Sequence, residues 1–90
     1  MSYRILLHLK AARFLQKAGP SVRDQLKRRL RELEELSETK GEHLKHSPFY
    51  SLRVGDYRAI YEIDSERRMV IVLFIGHRRD VYDDFSRLLD

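Results

Sequence analysis

From Ser51 to Tyr82 the chain reads SLRVGDYRAIYEIDSERRMVIVLFIGHRRDVY, three apolar runs with strand periodicity separated by short polar turns. Turns this short leave no room for a crossover, so the runs predict an antiparallel meander. Between Phe49 and Val54, the side chains of Tyr50, Leu52 and Val54 fall on one face of the pleat, and Ser51 and Arg53 on the other. Gly55-Asp56 supplies a tight turn. Tyr57, Ala59, Tyr61 and Ile63 then share a face, opposite Arg58, Ile60 and Glu62. Asp64-Ser65-Glu66-Arg67 turns the chain again. Met69 to Ile75 is apolar throughout, as in a central strand covered on both faces, and Gly76 ends it.

The flanks are read by their own periods. Tyr3, Ile5, Leu7 and Leu9 alternate with Arg4, Leu6, His8 and Lys10, which predicts a first, edge strand. Ala11 to Ala18 has helical spacing through Ala11, Leu15 and Ala18, and Gly19-Pro20 breaks it. Ser21 to Asp24 has an N-cap pattern, followed by Val22, Leu26, Leu30, Leu33 and Leu36 on one helical stripe. Thr39-Lys40-Gly41 ends that helix, with Gly41 expected in the left-handed conformation. Glu42 to Ser47 reads as a polar loop. Val81, Phe85, Leu88 and Leu89 predict a C-terminal helix over Asp80 to Leu89, whose stripe is core or the rim of a groove for a partner's helix. The resulting order is β-α-α-β-β-β-α, an α+β fold in which a helical hairpin packs on a small antiparallel sheet.

Ninety residues hold one domain, 1–90, with no room for a second core. The absence of cysteine removes disulfides, zinc–thiolate sites and thiol nucleophiles. His43 and His46 lie in a loop with no third ligand at metal-site spacing, and no glycine-rich phosphate loop is present. No metal or other cofactor is therefore expected. No run approaches a membrane span and the N-terminus lacks the pattern of a signal peptide, so a cytoplasmic protein is expected. Lys+Arg 18 against Asp+Glu 14 favours an acidic partner or nucleic acid.

The meander's pleat turns that charge into a candidate site. If the Tyr50 and Tyr57 face meets the helices, Ser51, Arg53 and Arg58 point away from them, and Arg78 and Tyr82 close over the rim of the same surface. Such a site suits cleavage of an RNA phosphodiester by its own 2′-hydroxyl: preplaced guanidinium groups match the negative charge of the phosphorane. Tyr82 is a candidate base if neighbouring arginines depress its pKa from the free value of about 10. Arg78 or His77 would stabilise or protonate the leaving group. Exposed arginines on antiparallel strands are mostly solvating residues, so the pattern alone leaves both readings open; Ser51 reads as an ordinary exposed strand residue.

The second predicted helix carries Arg23, Lys27, Arg28, Arg29 and Arg31 in its first half and Glu32, Glu34, Glu35 and Glu38 in its second. This order opposes the dipole of one continuous helix. It reads either as a phosphate-contacting patch or as a solvated face laced by Arg28–Glu32 and Arg31–Glu35 pairs.

Two runs, R-x-G-D-Y-R-x-I-Y over Arg53 to Tyr61 and G-H-R-x-x-V-Y over Gly76 to Tyr82, carry a resemblance to the RelE/ParE toxin superfamily. The similarity is to its RelE-like members and covers nearly the whole chain. It implies a toxin of a type II toxin–antitoxin module that enters the ribosomal A site and cuts mRNA without metal. It also implies a RelB-like antitoxin that wraps and blocks the toxin, with operator DNA contacted only through that complex. By the resemblance, Arg58 matches the arginine of the family's Y-R strand, Arg78 the arginine after the glycine ending the last strand, and Tyr82 the tyrosine of the V-Y ending. Arg53 stands at the second of two strand lysines and Ser51 at the first, a departure that leaves the proton-transfer assignment open. Arg23, Lys27, Arg28, His77 and Arg79 are expected to contact RNA. The alternatives are a ParE-like toxin that binds DNA gyrase without nuclease chemistry, and a degenerate member that binds only its antitoxin. Tyr82 together with Arg58 and Arg78 favours the nuclease.

Overall fold

The tight meander does fix the centre of the fold. In the computed structural model, β3 (Phe49–Val54), β4 (Tyr57–Asp64) and β5 (Met69–His77) pair antiparallel in sequence order. Gly55 takes φ +60 at the first turn, a conformation that glycine reaches without a Cβ clash. The structure describes residues 2–89; Met1, Asp90 and the side chains of Leu36 and Leu89, the last members of two apolar stripes, lie outside that description.

Two further strands complete the sheet. β1 (Arg4–Leu7) adds to β5 in parallel, and β2 (Glu42–His43) pairs antiparallel with β3. The five-stranded order is β1-β5-β4-β3-β2. The first strand is at an edge, as expected, but the sheet is mixed rather than wholly antiparallel. β2 falls in a stretch expected to be loop, where two polar residues give no period to read. Leu9 begins α1 (Leu9–Lys17) and does not extend the strand.

Two corrections concern the long helix. It is two helices, α2 (Pro20–Arg31) and α3 (Leu33–Lys40), with Glu32 between them. This break accounts for the charge order. Arg28, Arg29 and Arg31 lie in the last turn of α2, and Glu34 and Glu35 in the first turn of α3. An order that opposes one long dipole complements two short ones. Glu32 pairs with Arg29 and Lys40, each at 2.8 Å, in place of the expected Arg28–Glu32 and Arg31–Glu35 pairs. The hydrogen bond from Lys40 holds the Glu32 carboxyl below its ordinary value. Ser21 is not the cap of α2: Gly19 is, with Pro20 in the first turn, where its missing N–H costs nothing.

The helical hairpin covers one face of the sheet. Ala11, Leu15, Leu26, Leu30 and Leu33 meet Leu52, Val54, Ala59, Tyr61, Val70, Val72 and Ile75 in one buried core. Each fully buried leucine contributes roughly 1.5–3 kcal/mol of transfer free energy. Arg23 ties α2 to α1: its guanidinium donates to the carbonyls of Leu15, Gln16 and Ala18 at 2.9, 3.2 and 2.9 Å, satisfying the open end of α1.

α4 (Val81–Leu89) covers part of the opposite face. Val81 and Phe85 bury Ile60 there, with Phe49, Leu73 and Phe74 packed around them. An irregularity between Ile60 and Tyr61 sets Ile60 opposite Phe74 and Tyr61 opposite Val72, so Leu73 is the extra residue. This bulge brings Leu73 and Phe74 into the same cluster and accounts for the unbroken apolar run.

Tyr61 is the largest fully buried side chain, and its hydroxyl donates to the Ser37 carbonyl at 2.7 Å. It also explains Gly41, whose φ of −94 is not left-handed: a Cβ at Gly41 would collide with the Tyr61 hydroxyl. Gly41→Ala is therefore expected to cost about 1–3 kcal/mol by overpacking, read from equilibrium urea unfolding. Burial, reinforced by Tyr50, pushes the Tyr61 pKa up from 10.0 to about 12. Its neutral phenol thus contributes stability that is fully present below pH 10 and lost as pH rises toward 12. Urea unfolding of the wild type and Tyr61→Phe on both sides of pH 10 should show that the wild type loses more stability across this window.

Candidate functional site

The face of the sheet turned away from the helical hairpin carries the arginines. In the β3–β4 register Arg53 stands directly opposite Arg58. Like charges so placed are destabilising, by roughly 0.2–1 kcal/mol. The pair therefore does not stabilise the hairpin by its charges. Arg58 in turn faces Gly76 on β5, where a Cβ would crowd the side chains of Phe74 and Val81.

Each cation has its own restraint. Arg53 is exposed and its Nε donates to the Gly55 carbonyl at 3.2 Å. Arg78 is also exposed; its backbone N–H donates to the Asp56 carbonyl at 2.8 Å, and its guanidinium lies 3.7 Å from the Asp56 carboxylate. That ion pair is loose and the Asp56 side chain is 74% exposed, so it holds Arg78 near the β3–β4 turn with little energy. Arg58 is half-buried and better fixed. Its Nη1 donates to Ser51 Oγ at 3.1 Å, and its guanidinium carbon lies 5.9 Å from the centroid of the Tyr82 ring. The Tyr82 hydroxyl reaches the same Ser51 Oγ at 3.2 Å. Tyr82 is nevertheless 38% exposed, so its ring is open to an incoming ligand.

Ser51 overturns its expectation. It is 1% exposed, because β2 runs beside it and Arg58 and Tyr82 close over it. Strand alternation correctly placed it on the polar face, but the contact with Tyr82 crosses 31 positions of sequence and no local period carries that information.

The remaining expected RNA contacts are dispersed. His77 is opposite Tyr57 in the register, and its ring packs against that of Tyr57 with centroids 6.0 Å apart. Tyr57 belongs to the hairpin-side core, so His77 turns away from the Arg58–Tyr82 group. Arg79 is exposed at the end of β5, its backbone N–H donating to His77 Nδ1 at 3.3 Å. Arg23, Lys27 and Arg28 belong to α2, in the layer on the far side of the sheet. The Arg23 guanidinium is already engaged at the end of α1, whereas Lys27 and Arg28 are exposed beside Asp24 and Arg31.

Among the described residues no group of three or more His, Asp or Glu side chains could hold a metal ion. His43 is occupied otherwise, with Nε2 at 2.8 Å from the Ser47 carbonyl and its ring against Tyr50. No helix among the described residues is long and apolar enough to cross a membrane. Beside α4, Phe49, Leu73, Phe85 and Leu88 line an apolar groove of about 450 Å³, with His8, Lys10 and Glu62 at its edges.

Comparison with known proteins agrees with this architecture. Residues 5–82 match the family model described as the ParE toxin of the type II toxin–antitoxin system parDE. The mRNA interferase toxin RelE of Escherichia coli strain K12 is 30% identical over 89 residues, covering 93% of this chain and 94% of the relative. The toxin–antitoxin complex RelBE2 of Mycobacterium tuberculosis contains a chain that superposes with a TM-score of 0.79 at 27% identity, covering 87% of this chain and 100% of that one. The intact E. coli RelBE toxin–antitoxin complex gives 0.75 at 30% identity, covering 84% and 96%. The match spans the meander, the arginines and the start of α4, and the chain belongs to the RelE/ParE superfamily of type II toxin–antitoxin toxins, as a RelE-like toxin of a RelBE-type system.

Proposed function

We propose that the chain is a ribosome-dependent mRNA endoribonuclease, cutting in the A site through attack by the RNA's own 2′-hydroxyl, with no metal taking part. The observation that carries this reading is Arg53 standing opposite Arg58, beside an open tyrosine. Two arginines rooted opposite each other on one face of the pleat can turn their guanidinium groups to a phosphodiester, whose charge rises as the phosphorane forms. The 2′-oxygen bonds to phosphorus while Tyr82, as general base, takes its proton. The bond from phosphorus to the 5′-oxygen breaks, leaving a 2′,3′-cyclic phosphate. Arg78, at the rim, meets the charge on the departing oxygen, which takes up a proton from water to give a 5′-hydroxyl. Arg78 suits this role better than His77, whose ring is turned to the other side of the sheet. The relatives named mRNA interferase support a reading in which the target is mRNA. Action on ribosomes would place the protein in the cytoplasm.

The partner that restrains this activity is a RelB-like antitoxin, as in the complexes of the solved relatives. The groove beside α4, apolar with His8, Lys10 and Glu62 at its edges, suits one amphipathic helix of such a protein. Operator DNA would be contacted only through that complex.

Primer extension on mRNA carried by translating ribosomes tests the chemistry, with free mRNA as control. Wild-type chain should cut within A-site codons; Tyr82→Phe should slow cutting by about 10²–10⁴-fold and Arg78→Ala by about 10²–10³-fold, both remaining folded. A folded, antitoxin-free chain that leaves ribosome-bound mRNA intact would remove the nuclease reading and favour a binding toxin, with gyrase the next target to assay. For the partner, co-expression with the protein encoded beside it should give a complex that survives purification. Leu88→Asp in the groove should weaken that complex by roughly 10-fold or more, measured by calorimetry.

A further inference from the structure

The three-way contact at Ser51 supports a role that neither Arg58 nor Tyr82 can fill alone. A serine hydroxyl has one proton to give and two lone pairs to accept with. Here Oγ accepts from Arg58 Nη1 at 3.1 Å and meets the Tyr82 hydroxyl at 3.2 Å. While Tyr82 is a phenol, it donates to Oγ. Once Tyr82 has lost its proton, the Ser51 O–H can rotate and donate to it, with Arg58 still donating to Oγ. The bond therefore survives both proton states of the tyrosine. Alanine or valine at this position would make no such bond in either state.

The support under this hydroxyl is rigid. Ser51 pairs with Ile60 of β4 on one side and with Glu42 of β2 on the other, so its backbone is held within the sheet. Its side chain is 1% exposed, whereas the two groups that it joins open to solvent: Tyr82 is 38% exposed and Arg58 half-buried. Arg58 and Tyr82 come from different elements, one on β4 and one at the start of α4. Among the described contacts, Ser51 is the group that hydrogen-bonds both.

We infer that Ser51 is the positioning residue of the site, setting the Tyr82 oxygen and the Arg58 guanidinium in register through one buried hydroxyl that switches between acceptor and donor. This inference rests on the nuclease reading for its kinetic consequence, though not for its geometry. Ser51 touches no substrate in this account; it acts through its two partners. Loss of the hydroxyl should misplace both groups and slow the chemical step while leaving binding to ribosomes unchanged.

The experiment compares wild type with Ser51→Ala, Ser51→Thr and Ser51→Val, the last two matched in shape and differing by the hydroxyl. In single-turnover cleavage on programmed ribosomes, Ala and Val should lower the maximal rate by about 10–100-fold, with the half-saturating ribosome concentration unchanged. Thr should stay within about threefold of wild type, because it keeps the hydroxyl. Val equal to Thr, or Ala within about twofold of wild type, would overturn the inference. A second arm requires no cleavage: the carbon-13 resonance of the Tyr82 Cζ atom, assigned with Tyr82→Phe, reports the hydrogen bond of its oxygen. It should move in Ser51→Ala and Ser51→Val and hold in Ser51→Thr; a resonance unchanged in all three would overturn the inference. A wild type that cuts nothing would fail the nuclease reading, and the Cζ resonance would then decide the inference about Ser51 separately.

Discussion

The register of the β3–β4 hairpin is the constraint on which the rest depends. Gly55, with its positive φ, closes a turn that sets Val54 opposite Tyr57, Arg53 opposite Arg58 and Ser51 opposite Ile60. Because side chains alternate across a strand, slipping this pairing by one residue would send one strand's core side chains to the polar face. Leu52, Val54, Ala59 and Tyr61 hold the register by burying themselves against the helical hairpin. The same pairing forces the arginines and Ser51 onto the other side. Core and site are two faces of one pleat, and the energy of the first fixes the geometry of the second.

The site is poor in stabilising contacts. Arg53 and Arg58 oppose each other in register, the Arg78–Asp56 pair is loose and largely solvated, and Tyr82 leaves much of its ring in water. The hydrophobic layers supply the compensation, from the core under the helical hairpin and from the cluster under α4. A surface rich in underused guanidinium groups on a rigid sheet is what binding a polyanion requires. Membership of a toxin superfamily is consistent with that reading.

Much of this was legible in the sequence because it follows local periods. The meander, the edge strand, the helical hairpin and the C-terminal helix follow from alternation of two or from helical spacing. The polar-face placement of Arg53 and Arg58 follows from the same alternation. What escaped depends on partners distant in the chain. Burial of Ser51 comes from Tyr82 and β2, and the parallel pairing of β1 with β5 spans most of the chain. Gly41 is glycine because of Tyr61, not because of its own dihedral angles. The break at Glu32 was written in the charges, which favour two helix dipoles, but the continuous apolar stripe of Leu26, Leu30 and Leu33 concealed it.

The central claim is that the Arg53–Arg58 face, not the basic face of α2, receives the scissile phosphate. The most direct test is an electron cryomicroscopy structure of the wild-type chain on a ribosome whose mRNA carries a 2′-deoxy nucleotide at the scissile position. That substitution blocks attack while every protein side chain stays native. The account predicts that the scissile phosphate sits between Arg53 and Arg58, with the C2′ atom turned toward Tyr82 and Arg78 beside the 5′-oxygen. An A-site mRNA lying away from this face, or held by Lys27 and Arg28 instead, would contradict it.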